Sequence, residues 1–203
     1  MQADSGKFQH NLQEALRLSV LREISHRRVS FADAGRGVNR KWSCRFFNRA
    51  QGNLRWHAKL VMTGAVETQS HKHQRDGSIP EECPFCEFGL PETTDHMNWS
   101  CPAWDPIRDA MPIPHSETDL MHLPSCFLEH GLVTEDMLQQ GEPACEEDEE
   151  MIVAVQEMLA SIAQARFDAE ERLKTQAAID EATQLARGAL RPGERKRRRL
   201  TVV

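Results

Sequence analysis

Near the N-terminus the apolar positions fall at three- and four-residue steps. In FQHNLQEALRLSVLREIS, Phe8, Leu12, Ala15, Leu16, Val20 and Ile24 mark one side of a cylinder, so the spacing predicts an amphipathic helix over residues 8–25. FADAGRGVNRKW then interrupts the rhythm with two glycines and an asparagine and is expected to be a loop. The apolar pattern resumes at Phe46, Phe47, Leu54, Leu60 and Val61, and a helix is expected over 53–63. Thr68 to Gln74 predict a short helix, followed by a turn at DGSIP. Beyond Cys101, prolines at 102, 106, 112, 114 and 124 leave residues 102–126 irregular apart from a short helix near Ile107 to Ala110. The longest periodic stretch runs over 149–187, where Ile152, Val155, Met158, Leu159, Ile162 and Ala165 form a stripe that fades toward Leu173, Ala177, Ile179 and Leu185. Gly and Pro are absent from it until Gly188. So thin a stripe needs a partner surface, and Gln156, Gln164 and Thr175 interrupt any strict heptad.

No stretch alternates as a strand would, and the expected fold class is mainly α. Five segments follow: a helical basic region over 1–75, a small irregular metal-binding module over 76–110, an irregular acidic linker over 111–148, the long amphipathic helix over 149–187, and a disordered basic tail over 188–203.

Composition sharpens this division. Only 39% of the 203 residues are hydrophobic and 28% are charged, which implies one modest core with parts that stay unpacked or fold against a partner. The net charge of −6 conceals a polarity along the chain. From Arg22 to Arg75 twelve Lys and Arg face three acids, whereas between Asp76 and Glu171 Arg108 and Arg166 are the only cations among many acids. A basic block of this kind suits a polyanion partner. The start, MQADSGKFQH, lacks the apolar run of a signal peptide and no window is apolar enough to span a bilayer, so an intracellular protein with no membrane partner is expected. In a reducing compartment the six cysteines are free or metal-bound rather than paired.

Three of those cysteines cluster with a histidine in CPFCEFGLPETTDHMNWSC. Cys83 and Cys86 have the C-x2-C spacing that aims two thiolates at one point, and His96 and Cys101 complete a CCHC set of three sulfurs and one nitrogen. The chemistry is that of a closed, structural Zn2+ site, with no ligand to spare for an activated water. Pro84 stiffens the knuckle, Gly89 and Pro91 let the chain return, and a short helix is expected to carry His96 and to end at Cys101 before Pro102. Buried, unligated thiols are the alternative. A weaker set, His122, Cys126 and His130, with His115 as a fourth ligand, is broken by Pro124; His71 and His73 are expected to be solvated.

Residues 60–108 resemble the zinc-binding region near the C-terminal end of the reverse transcriptases of non-LTR retrotransposons. The likeness lies in a TG…T…H…RDG lead-in, the CPxC pair and ETTDHMNWSCPAW, and it places the family's ligands on Cys83, Cys86, His96 and Cys101. The polymerase itself is missing, since the chain has no tyrosine and no Asp-Asp pair. The resemblance thus implies a detached piece that keeps the zinc module without the catalytic engine.

Two functions are expected from different classes. One is binding of RNA or single-stranded DNA, with Arg40, Lys41, Arg45, Arg49 and Arg55 on phosphates and Trp42 and Trp56 as stacking faces, although the same aromatics would serve equally as a small core. The other is a zinc-stabilised scaffold whose long helix pairs with itself or another chain. Acidic middle and basic block can also dock on each other and compete with nucleic acid. The run Arg195–Arg199 suits a nuclear-localisation signal. No nucleophile elbow or phosphate-binding glycine loop points to an enzyme.

Overall fold

The computed structural model describes residues 3–113 and 122–189, with side chains from residue 11 to 185. The described chain is mainly α and holds no β-strand, only isolated bridges. In order come α1 (Ala3–Arg27), a 3-10 turn (Val29–Arg36), α2 (Arg40–Ser43), α3 (Arg45–Arg49), α4 (Gly52–Met62), α5 (Gln69–Arg75), a π-turn (His96–Ser100), a 3-10 turn (Pro102–Trp104), α6 (Asp105–Asp109), α7 (Ser125–His130), a 3-10 turn (Glu135–Met137) and α8 (Glu146–Ala189).

Two compact units divide at Ala165/Arg166. Unit 1 holds the core and all four cysteine and histidine candidates; among the described residues unit 2 consists of the distal turns of α8. The expected segments 1–75, 76–110 and 111–148 therefore fall within one unit. The acidic linker is not a linker: Phe127, Leu132 and Val133 are buried, and Cys126 and Leu132 form a core cluster with Phe31, Ala34 and Val38. Acid content is no guide here, because a few apolar residues carry the packing while Glu135 and Asp136 stay exposed.

α1 is longer than expected and turned differently. Leu12, Leu16 and Val20 are exposed, and α1 packs through Leu21 and Ile24 against the Phe31 cluster. The predicted loop also gives way to short helical turns: Asn39 accepts the Trp42 amide at 3.2 Å to start α2, and backbone bonds Asn39 to Val133 and Glu135 to Gly37 tie this segment to the 133–135 stretch.

α8 supplies the partner surface of its own stripe. Ile152, Val155, Met158, Leu159 and Ile162 are buried in unit 1, and Ala160 packs with Phe46, Ala50 and Ala58. Gln156, which breaks the heptad, points inward. Its Nε2 donates to the carbonyls of Trp42 (2.9 Å), Ser43 (3.2 Å) and Gly131 (2.9 Å), while its Oε1 accepts the Phe46 amide (3.0 Å). One side chain thus satisfies the groups left open where α2, α3 and α7 end or begin. Gly131 is required there: it sits at φ 67°, and a Cβ would come within 3.0 Å of Gln156 Cγ.

Candidate metal centre

Cys83, Cys86, His96 and Cys101 are brought together, with their ligand atoms all within 4.8 Å of one another. A tight turn and a rare helix do this. Before the turn, Cys83 N–H donates to the Leu90 carbonyl (2.8 Å), Glu92 N–H to Glu81 (2.9 Å), and Glu82 bridges Pro91, so the CPFC knuckle closes a miniature hairpin. Gly89, at φ 62°, reverses the chain.

After the hairpin, Thr93 Oγ1 accepts the His96 amide at 3.0 Å, and residues 96–100 form a π-turn whose last bond runs from Cys101 N–H to the His96 carbonyl (2.7 Å). An ordinary α-helix would turn residues five apart about 140° away from each other. The wider π-turn narrows that angle and sets His96 and Cys101 on one side. The expected short helix is present, in this rarer form.

Two of the distances between donor atoms match the edges that a tetrahedral ion requires. Bonds of about 2.3 Å to sulfur and about 2.0–2.1 Å to nitrogen imply edges of about 3.8 Å between sulfurs and about 3.6 Å between sulfur and nitrogen. Cys83 Sγ and Cys101 Sγ lie 3.8 Å apart, and Cys86 Sγ and His96 Nε2 3.5 Å apart. His96 Nδ1 lies 3.3 Å from Ser100 Oγ and would donate to it with Nε2 as the ligand, an outer contact that orients the ring. The donors therefore fit a four-coordinate ion.

By themselves the electrostatics of the site do not favour thiolates. Burial pushes the Cys83 thiol up to about 12, against a hydrogen bond from the Phe85 amide that works in the opposite direction; burial also raises Cys101 and lowers His96. Burial thus favours the uncharged donors, and a divalent cation reverses that preference for the thiols by holding them as thiolates.

Two residues that spacing alone did not single out lock this geometry. Arg108, buried, donates to the carbonyls of Asn98 (3.2 Å) and Cys101 and pairs with Asp105 at 2.5 Å, so it caps the end of the π-turn. It is one of only two cations between Asp76 and Glu171, and that isolation was the available signal. Glu92 is fully buried; its carboxylate accepts the Gln69 amide (2.7 Å) and its carbonyl the Ser70 amide (3.3 Å), joining the hairpin to the start of α5. Trp99 Nε1 donates to the Leu128 carbonyl (3.1 Å) and ties the centre to α7.

No family model, curated protein or solved structure matches the chain.

Other candidates separate sharply. Among the described residues no second group of metal ligands gathers: Cys126 Sγ faces the Leu132 carbonyl, His130 Nδ1 the Val61 carbonyl at 3.1 Å, and His122 is exposed. His115 lies outside the described residues. His71 and His73 are not simply solvated, since His71 closes a capping box with Thr68 and His73 Nδ1 lies 2.7 Å from the Ile79 carbonyl. Trp42, expected as a stacking face, is 2% exposed and its Nε1 donates to Gly141 and Glu142. It is core. Lys41 pairs with Glu142 and Arg45 with Glu149, both at 2.5 Å, and Arg49 lies 3.9 Å from Glu149. The acidic and basic stretches thus do dock on each other. Arg40 is exposed, Arg55 lies 4.6 Å over the Phe47 ring, and Trp56 remains half exposed. Among the described residues no helix is long and apolar enough to cross a membrane, and the run Arg195–Arg199 lies outside them.

Proposed function

We propose that Cys83, Cys86, His96 and Cys101 hold one structural zinc ion and that the protein is a non-catalytic binder of RNA or single-stranded DNA, similar to a detached zinc region of a non-LTR reverse transcriptase. The observation that carries the zinc assignment is the closed set of three sulfurs and one imidazole with tetrahedral edges of 3.8 and 3.5 Å. A site saturated by four protein donors leaves no position for an activated water, so its role is folding.

Nucleic-acid binding is supported by the cations and ring that internal docking leaves outward. Arg40, Arg55 and Trp56 are exposed, and Lys59 follows Arg55 by one helical turn on α4. Arg45 and Arg49 join them whenever Glu149 releases them. The decisive measurement is zinc stoichiometry of the reduced chain beside His96→Ala and Cys86→Ser. One zinc per chain, lost in either variant, is expected; no zinc in the native chain overturns the assignment. Affinity for a single-stranded oligonucleotide should then fall steeply with salt, and an affinity that stays flat overturns the binding role. Nuclear accumulation through Arg195–Arg199 belongs to the same proposal, and a reporter lacking that run should stay out of the nucleus.

A second function draws on a separate observation. In unit 2, Leu173, Ile179 and Leu185 are 49%, 53% and 69% exposed, a surface that suits helix-mediated self-association. Sedimentation at high concentration tests it, and a monomer there overturns it.

A further inference from the structure

A cleft of about 840 Å³ opens in unit 1 between the 3-10 turn at Val29–Arg36, the start of α5, the His96 segment and the end of α7. Its size is that of a small-molecule site. The metal centre builds one of its walls, since Thr93, Thr94, Asp95, Met97 and Asn98 bracket His96 and line it.

Two of the lining residues carry buried polar atoms without a protein partner. Asn98 is 1% exposed and its Nδ2 has none; His130 is 6% exposed and its Nε2 has none. Orphaned groups of this kind are uncommon in folded proteins, because each gives up its hydrogen bonds to water and gains none in return. Their chemistry is complementary. The Val61 carbonyl 3.1 Å from His130 Nδ1 can only accept, so Nδ1 carries the proton and Nε2 presents a bare lone pair. Asn98 Nδ2 presents N–H donors. His130 also stacks on Phe31 at 4.1 Å between ring centroids.

The remaining lining narrows the ligand further. Glu67 is occupied by Arg75, which grips it through both guanidinium nitrogens, whereas Asp95 and Glu129 line the cleft with no ion pair among the described residues. Arg28 lines it as well, 5.9 Å from the Phe31 ring. The wall of the cleft therefore holds a donor and an acceptor that a ligand reaches once the wall gives way, with carboxylates for an amine edge and one guanidinium for a phosphate or carbonyl.

We infer that this cleft takes an unpaired nucleobase of a bound strand, guanine before the others. Guanine sets a carbonyl acceptor beside ring and exocyclic N–H donors, so one edge can accept from Asn98 and donate to His130 or to a carboxylate. The inference deepens the nucleic-acid role proposed above and rests on it. It also makes base recognition depend on the metal, which shapes the Thr93–Asn98 wall.

The test uses the full, metal-loaded chain with ¹⁵N-labelled histidine, titrated with the guanosine, adenosine, cytidine and uridine monophosphates and with inorganic phosphate. Saturable movement of the His130 Nε2 resonance by guanosine monophosphate is expected, with roughly tenfold weaker binding of the others, the discrimination one well-placed hydrogen-bonding edge provides. His130→Phe should abolish binding. Since that change lies in the core, Glu129→Gln at the half-buried edge is the second variant, and it should weaken guanosine monophosphate several-fold with helicity and metal content unchanged. No shift with any nucleotide, or equal competition by phosphate alone, overturns the inference. Salt-dependent oligonucleotide binding that persists in that case leaves the wider role standing and removes only the cleft; loss of both removes the two together.

Discussion

His130 shows how much one buried side chain can impose on the whole. Burial pushes its imidazole down to about 4 from an ordinary 6.5, although the bond to Val61 works in the other direction. The unfolded chain therefore binds the extra proton between those values while the folded chain refuses it. Stability contributed by the neutral ring is complete above about 6.5 and is lost progressively as pH falls toward about 4, up to ~3 kcal/mol. Denaturant midpoints measured from pH 7.5 to 4.5 should fall in the native chain and fall less in His130→Gln, whose difference from the native chain isolates this residue from the metal ligands. Equal slopes would show that His130 does not titrate this way. Trp42 and Trp56 provide a paired contrast. Trp42→Ala should cost about 3–5 kcal/mol, as deletion of a buried aromatic does. Trp56→Ala should leave the denaturation midpoint nearly unmoved and weaken single-strand binding by about 1–3 kcal/mol if its ring stacks on a base. Nothing in the composition of NRKWSCRFFNRAQGNLRWHAK separates the two tryptophans, since both sit among cations at helical spacings. Burial separates them, and Trp42 is held down by residues a hundred positions later, Gly141 and Glu142, which accept its indole N–H.

At the scale of elements, α8 and the π-turn depart furthest from their sequence signatures. Apolar periodicity located α8 to within a turn at its start, yet Gln156 looked like a flaw in its stripe. In the fold it is a hub holding four backbone groups. Gln156→Leu keeps the volume and strands those groups in a dry core, so a loss of about 2–4 kcal/mol is expected in equilibrium unfolding. A loss under about 0.5 kcal/mol, usual for surface positions, would mean that water reaches them. The π-turn was legible only in outline. Cys-x2-Cys, His and Cys identified four donors because each donor type is chemically distinctive and because the order limits how they converge. The i-to-i+5 turn that makes His96 and Cys101 face one way has no compositional mark. Of the α1 stripe only Ile24 packs as expected, for a related reason: a helix with apolar residues on more than one side buries the side that its neighbour reaches, here Leu21 and Ile24 on the Phe31 cluster.

Across the molecule the governing feature is charge. Arg36 with Asp136, Lys41 with Glu142 and Arg45 with Glu149 join the basic block to residues roughly a hundred positions later, and the hydrogen bond from Lys41 holds Glu142 below the usual carboxylate range. These surface pairs add little to stability, because water and salt screen them. Their larger effect is on partners, because a cation facing a carboxylate offers less to phosphate. Glu149→Gln should therefore raise single-strand affinity a few-fold at low salt and leave metal content unchanged; no gain would show that Arg45 and Arg49 lie outside the binding surface. Taken alone, the sequence determined the mainly helical class, the long helix, the polarity of charge and the four residues that could hold a metal, all of which rest on local periodicity or on distinctive side-chain chemistry. Only the tertiary structure decided which aromatics are core, which cations are already paired, that the acidic middle is packed rather than a linker, and that Asn98 and His130 share a cleft. Those properties depend on contacts between residues far apart in the chain, and neither spacing nor composition carries them.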